Sequence, residues 1–161
     1  MVHSAGMLLY RIDAGVLWVL IAHMGGPFWA RKDEGAWSIP KGEYDDGDDP
    51  EAAAVREFTE EMGSPPPPGQ LVPLGAIRQS SGKRIAAYAV DADFDAAGIR
   101  SNEFEMEWPR GSGAMRSFPE VDRAEWVDCA TARSKLVSGQ DAFLDRLLAH
   151  LAQRSIVARE A

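Results

Sequence analysis

Between Asp49 and Gly63 the chain reads DPEAAAVREFTEEMG, a stretch that specifies a helix at both of its ends. The Asp49 side chain can accept from the free amides of a first turn, Pro50 suits the first helical position, and Gly63 can take the left-handed conformation that stops the helix after about three turns. On a 3.6-residue period Glu57, Glu60 and Glu61 share one face while Val55, Phe58 and Met62 share another. One face can therefore be buried while the other gathers negative charge. Like charges at these spacings cost a helix a few tenths of a kcal/mol per pair, and Glu57 and Glu61 lie where the favourable N-terminal dipole has faded. Arg56 can offset part of the repulsion. Hard divalent cations with oxygen ligands, magnesium or manganese, can offset the rest. A solvated acidic face is the alternative that EFTEE alone leaves open.

Read from Gly42, the pattern is longer: glycine, five residues, Asp48, seven residues, then Arg56-Glu57-Phe58-Thr59-Glu60-Glu61-Met62-Gly63. It closely resembles the signature of the Nudix hydrolases, G-x5-E-x7-R-E-U-x-E-E-x-G-U, where U is a bulky apolar residue. Two positions depart from it. Asp48 stands where the signature has glutamate, a shorter carboxylate that would weaken an outer contact, and Ser64 replaces the last apolar residue, a change that bears on packing rather than chemistry. Every position that would carry metal is filled. The resemblance covers about residues 4 to 153. It implies a Nudix-like α/β/α sandwich with a mixed β-sheet and an enzyme of the nucleoside polyphosphate pyrophosphohydrolase type. Its cofactor would be Mg2+, with Mn2+ as a substitute.

A chain of 161 residues is long enough for one domain with a sizeable core, so residues 1–161 read as a single domain. The formal charge of −8 argues against a nucleic-acid groove, which calls for a basic patch. Phosphate substrates remain open, because a bound metal inverts the local field. No run nears about 18 apolar residues and no secretory leader is evident, so no membrane partner is expected and the reading is cytoplasmic. A single cysteine, Cys129, can form no internal disulfide; it agrees with a reducing compartment and reads as a small buried apolar residue. Oligomeric state is left open, a homodimer included.

Taken in order, Ser4 to Ile12 and Val16 to Met24 are apolar runs joined by the turn composition Asp13-Ala14-Gly15, a hairpin or two adjacent strands too continuous for a one-sided sheet. His3 and His23 lack nearby partner ligands and read as structural or surface residues. The loop Gly25 to Ala36 mixes Phe28 and Trp29 with Arg31 and Lys32, aromatics that can stack a base and cations that can meet phosphates, or else a packed Trp29 among solvated charges. Trp37 to Gly42 reads as a short strand leading into the signature. Ser64 to Gly69 carries four prolines and is a stiff connector. Gln70 to Gln79 and Lys83 to Val90 read as strands. Asn102 to Trp108 alternates Glu103, Glu105 and Glu107 with Phe104, Met106 and Trp108, a half-exposed strand. Pro109 to Ser117 reads as a loop, and Phe118 to Val127 leads into a late strand. Asp128 or Thr131 can cap a short helix near Ala132 to Val137, and Gln140 to Arg154 is amphipathic, with Phe143, Leu144, Leu147, Leu148 and Leu151 on its buried side.

The resemblance assigns roles by position. Glu57, Glu60 and Glu61 are implied as metal ligands, with the Lys41 backbone carbonyl beside them; Glu57 is a ligand or the base that deprotonates water, and Arg56 holds the glutamates. Glu120 is a second candidate base, as an acid a few residues before the acid–tryptophan strand of Glu125-Trp126. The Trp37–Pro40–Lys41–Gly42 approach is most like that of enzymes that cleave dinucleoside polyphosphates, so Trp37 and Lys41 are candidate substrate contacts, and Arg31 is a third, as a cation of the preceding loop that can meet a phosphate. The expected reaction is metal-dependent hydrolysis of a phosphoanhydride in a small-molecule nucleotide, either a nucleoside triphosphate or a dinucleoside polyphosphate, by water attack at phosphorus. The alternatives are a sugar-nucleotide or non-nucleotide polyphosphate hydrolase, or a nucleotide-sensing module without turnover.

Overall fold

A computed structural model describes residues 3–161. The two apolar runs form β1 (His3–Asp13) and β2 (Val16–Met24), an antiparallel hairpin that turns through Ala14 and Gly15, both at positive φ. Side chains of β1 alternate between two cores. Leu8 and Tyr10 enter one with Leu17, Val19 and Ile21 of β2, whereas Ala5, Met7 and Leu9 enter the other with Leu20 and Ala22. Both faces are thus covered, which is why the runs carry no polar alternation.

Strand β1 also pairs in parallel with β6 (Arg84–Asp91), which pairs antiparallel with β5 (Val72–Arg78), and β2 pairs antiparallel with β9 (Val121–Asp128). The sheet is therefore mixed. Helix α1 (Pro50–Met62) covers one face through Ala53, Ala54, Phe58 and Met62, and α2 (Cys129–Lys135) and α3 (Asp141–Gln153) cover the other through Ala132, Phe143, Leu144, Leu147 and Leu151. Among these α3 residues Leu148 is only partly buried, because it sits at the border of the apolar stripe. The C-terminal tail adds to the second face: Leu17 N donates to Arg159 O at 2.8 Å and Arg133 pairs with Glu160.

Three expectations change in detail. The approach to the signature is two strands, β3 (Trp37–Ser38) on β2 and β4 (Lys41–Tyr44) on β1, because the chain changes partner across Ile39–Pro40. The stretch read as a loop up to Ser117 contains most of β8 (Met115–Pro119), which pairs with β7 (Glu103–Glu107) in a separate two-stranded sheet. The short helix begins at Cys129, because Asp128 Oδ1 accepts from Thr131 N at 2.7 Å and caps it there. Among the described residues no helix is long and apolar enough to cross a membrane.

Phe58 is fully buried, edge-on to Phe94 at 5.2 Å between ring centroids, and fastens α1 to the sheet. Phe58→Ala is expected to destabilise the protein by about 3–5 kcal/mol, whereas Phe28→Ala, at a side chain that is 58% exposed, should change little; urea unfolding of both variants checks this.

Candidate active site

The carboxylate helix starts and stops where its ends dictate. Asp49 Oδ2 accepts from Ala52 N at 3.2 Å, and Gly63 takes φ +85° with its N–H donating to Thr59 O. Those two ends fix the rotation of α1, so that Phe58 and Met62 enter the core while Glu57 and Glu61 border β4. Glu61 is only 8% exposed, and its Oε2 accepts from the backbone N–H of Lys41 at 3.2 Å. Glu57 lies against Gly42 so closely that a Cβ built on that glycine would come within 1.9 Å of Glu57 Oε2. Only glycine leaves room for this carboxylate. Arg56 reaches Glu57 Oε1 and the carbonyl of Glu43, each at 3.4 Å.

A cavity of about 180 Å³ opens beside these groups, lined by Ala22, Met24, Ser38, Lys41, Glu61, Glu120 and Val121. Glu120, in the link between β8 and β9, is placed there by its backbone: its N–H donates to Asn102 O at 2.8 Å and its carbonyl accepts from Gly25 N at 2.9 Å. A second cavity, of about 200 Å³ and lined by Tyr10, His150 and Arg154 among others, contains one carboxylate, Asp91, and none of the signature residues. Of the two, only the first is lined by Glu61 and Lys41.

The electrostatics of the site are those of crowded acids. Burial pushes the Glu61 carboxyl up to about 8, with the charges of Glu120 and Glu57 adding to the rise and Lys41 opposing it. Glu57 is raised by burial and then by Glu60, and Glu120 by burial and then by Glu60. Burial also lowers the Lys41 ammonium, against the pull of Glu61. Four carboxylates therefore feel one another, with Lys41 and Arg56 as the nearby cations. Among the described residues no three acids, histidines or cysteines stand close enough to enclose an ion as they are, since Glu57 is turned to Arg56 and Glu61 to the Lys41 amide.

The structure thus brings together Lys41, Gly42, Arg56, Glu57, Glu60, Glu61 and Glu120. Two candidate substrate contacts stand apart. Trp37 is 1% exposed, donates its indole N–H to Asp33 Oδ1 at 2.8 Å and meets His23 edge-on. It packs the core and offers no face to a ligand, which corrects the expectation of a substrate contact. Arg31 is exposed in the loop before β3, and no hydrogen bond or ion pair among the described residues ties it to the carboxylates. Asp48, the shortened acid, accepts from Asp45 N at 3.2 Å and makes a local turn.

Sequence reasoning passed over Gln140. It is fully buried, accepts from Ile39 N at 3.0 Å and donates to Ser38 Oγ at 3.0 Å, holding the backbone that delivers Lys41 and Gly42. A glutamine just before an amphipathic stretch reads as a helix start, so nothing marked it as a core residue. His23 is structural as expected, its ring held between Asp122 Oδ1 at 2.8 Å and Lys32 O at 2.7 Å.

The NUDIX domain family model matches residues 2–147. An RNA pyrophosphohydrolase of Hahella chejuensis is 33% identical over 125 residues, 73% of this chain and 75% of that protein. The RNA pyrophosphohydrolase of Vibrio cholerae is 40% identical over 55 residues, 34% of this chain, and the match spans only 31% of that protein. Among solved structures, a C. elegans Ap4A hydrolase binary complex superposes with a TM-score of 0.63 at 20% identity, covering 95% of this chain and 99% of that one. The NUDIX domain of Shewanella oneidensis NrtR, complexed with ADP ribose, gives a TM-score of 0.63 at 16% identity, covering 94% and 88%.

A carboxyl raised from 4.5 to about 8 binds more protons folded than unfolded. Its contribution to stability is therefore present at low pH and lost as pH rises through that interval. In chelator, melting temperature should fall between about pH 5 and pH 8, and Glu61→Gln should flatten the fall and melt no lower than the parent at pH 8. Thermal melts across pH test this.

Proposed function

The chain belongs to the NUDIX domain family, and from that membership we propose that it is a pyrophosphohydrolase that splits a phosphoanhydride bond of a nucleoside polyphosphate by attack of water at phosphorus. The observation that carries the proposal is that Glu61, Glu120 and Lys41 line one cleft within the field of Glu57. Mutually raised carboxyls in a half-buried site are a poor general surface and a good seat for positive charge.

The donor set suits a hard divalent ion. Its carboxylates and backbone carbonyl offer oxygen only, and Gly42 keeps the space that Glu57 needs. Glu57, Glu60, Glu61 and the carbonyl of Lys41 would hold magnesium, or manganese in its place. A cation there would supply neutralisation of phosphate oxygens and a lowered pKa for bound water. The remaining steps fall to the chain itself. Arg56 orients Glu57 by a charge-assisted contact. Lys41, which lines the cleft, meets phosphate oxygens, and Arg31, exposed in the loop before β3, is the outer candidate for the same role. Glu57, or Glu120 at the rim, takes the proton of the water as its oxygen bonds to phosphorus and the bridging P–O bond on the opposite side breaks. The liberated phosphate leaves in line.

The substrate proposed is a nucleoside triphosphate or a dinucleoside polyphosphate. The relatives named RNA pyrophosphohydrolase favour one further form of it, the 5′-triphosphate end of an RNA. With a net charge of −8 the protein has little to attract a strand beyond its terminal nucleotides. Cys129, buried and with its thiol pushed up to about 12 by burial and then by Glu160, stays protonated and unreactive, which suits a reducing, cytoplasmic setting.

Product analysis over nucleoside triphosphates, dinucleoside polyphosphates, a short 5′-triphosphorylated RNA and sugar nucleotides should show magnesium-dependent cleavage that chelator abolishes. Glu57→Gln, Glu60→Gln and Glu61→Gln should each lose activity, Glu61→Gln by several orders of magnitude with the fold retained. Cleavage of sugar nucleotides alone would move the substrate class, and tight nucleotide binding without any product would point to a sensing module.

A further inference from the structure

One face of the β7–β8 hairpin presents three large apolar side chains, Phe104, Met106 and Phe118, that belong to neither core. A two-stranded sheet is marginal in water unless one face is covered, so this face is built to be covered by something. Within the chain, Phe104 meets Gly26 closely enough that a Cβ there would lie 2.8 Å from the ring. Phe118, directly opposite Phe104 in register, has its ring centroid 6.1 Å away. Arg116 faces Met106 in register and therefore shares this side, with its guanidinium 5.8 Å from the Phe118 ring.

The other side of the hairpin is acidic and largely committed. Glu103 accepts from Ser117 Oγ at 3.0 Å, and Glu107 accepts from Gly111 N at 2.6 Å to close the turn. Glutamates there are explained by the ribbon itself. The aromatic side is not.

Both ends of the ribbon are fastened to the site. Before β7, Asn102 N donates to Glu60 O at 2.9 Å; after β8, Glu120 and Val121 line the carboxylate cavity. On the facing strand Met24 lines the same cavity, and Gly25 and Gly26 carry the chain from it to the Phe104 ring. An aromatic pair with an arginine beside it, joined through Gly25–Gly26 and the Glu120 link to a cleft suited to phosphates, matches a flat heterocycle attached to those phosphates. We propose that Phe104, Phe118 and Arg116 form the wall on which the nucleoside of the substrate stacks, so that the ribbon selects base-bearing polyphosphates. This rests on the hydrolase reading of the carboxylate site. The acidic opposite face turns away a second length of polyanion, which confines recognition to the nucleoside next to the scissile phosphates.

The test uses the full chain with magnesium and separates binding from turnover. Calorimetry would compare a methylene-bridged, uncleavable ATP analogue with inorganic tripolyphosphate, which has the phosphates and no base. Phe118→Ala and the surface change Arg116→Ala should weaken the analogue by about tenfold, the scale of one lost base–aromatic contact, and leave tripolyphosphate within about twofold. Phe118→Trp, which keeps a stacking surface, should restore binding and show that the loss is not misfolding. Equal weakening of both ligands, or no weakening of either, would overturn the proposal. Wild-type protein that cleaves polyphosphate yet binds it no more weakly than the analogue would also overturn it while leaving the hydrolase reading in place. Absence of cleavage with every polyphosphate, alongside base-dependent binding, would do the reverse.

Discussion

Glu61 sits beside Glu57 and within the field of Glu120, mostly out of water, with Lys41 as a partly desolvated counter-charge. Nothing in folding favours such a cluster, since burial and mutual repulsion both oppose its ionisation. The rest of the molecule makes it sustainable. Phe58, Met62 and two alanines lock α1 onto the sheet, and the capped ends of the helix fix which side turns inward. A site held under electrostatic tension by a rigid core is predisposed to accept positive charge, and that predisposition links fold to chemistry.

The second half of the device is backbone rather than side chain. Across Ile39–Pro40 the chain transfers from β2 to β1, and this break turns the Lys41 amide toward Glu61 and sets Gly42 under Glu57. Gln140 reaches from the start of α3 to satisfy Ile39 N inside the core, so the two faces of the sandwich meet at this one segment. A polar group buried this deeply is tolerable only because both ends of its amide are paired.

Much of this was legible in the residues. Helix α1 could be read almost to its last residue, because Asp49, Pro50 and Gly63 act locally and their effects do not depend on distant packing. The apolar runs of β1 and β2 announced a strand pair covered on both faces for the same reason. Trp37 misled, because an aromatic beside a signature can stack a ligand or fill a core, and only the positions of His23 and Asp33 decide. Strand β8 was missed since Met115, Arg116 and Ser117 have no alternation of their own and become a strand only by pairing with β7. Glu120 was reachable by position alone; its place at the cavity depends on Gly25 and Asn102, both of them more than 15 residues earlier in the chain.

The most direct measurement is hydrolysis of a nucleoside triphosphate in water enriched in oxygen-18, with magnesium, followed by mass spectrometry of the products. The account predicts one heavy oxygen in a single phosphate-bearing product and none in the ribose, the mark of water attack at phosphorus by a site that cleaves the anhydride. Label in the ribose, or unlabelled products from any nucleoside polyphosphate that is turned over, would contradict it.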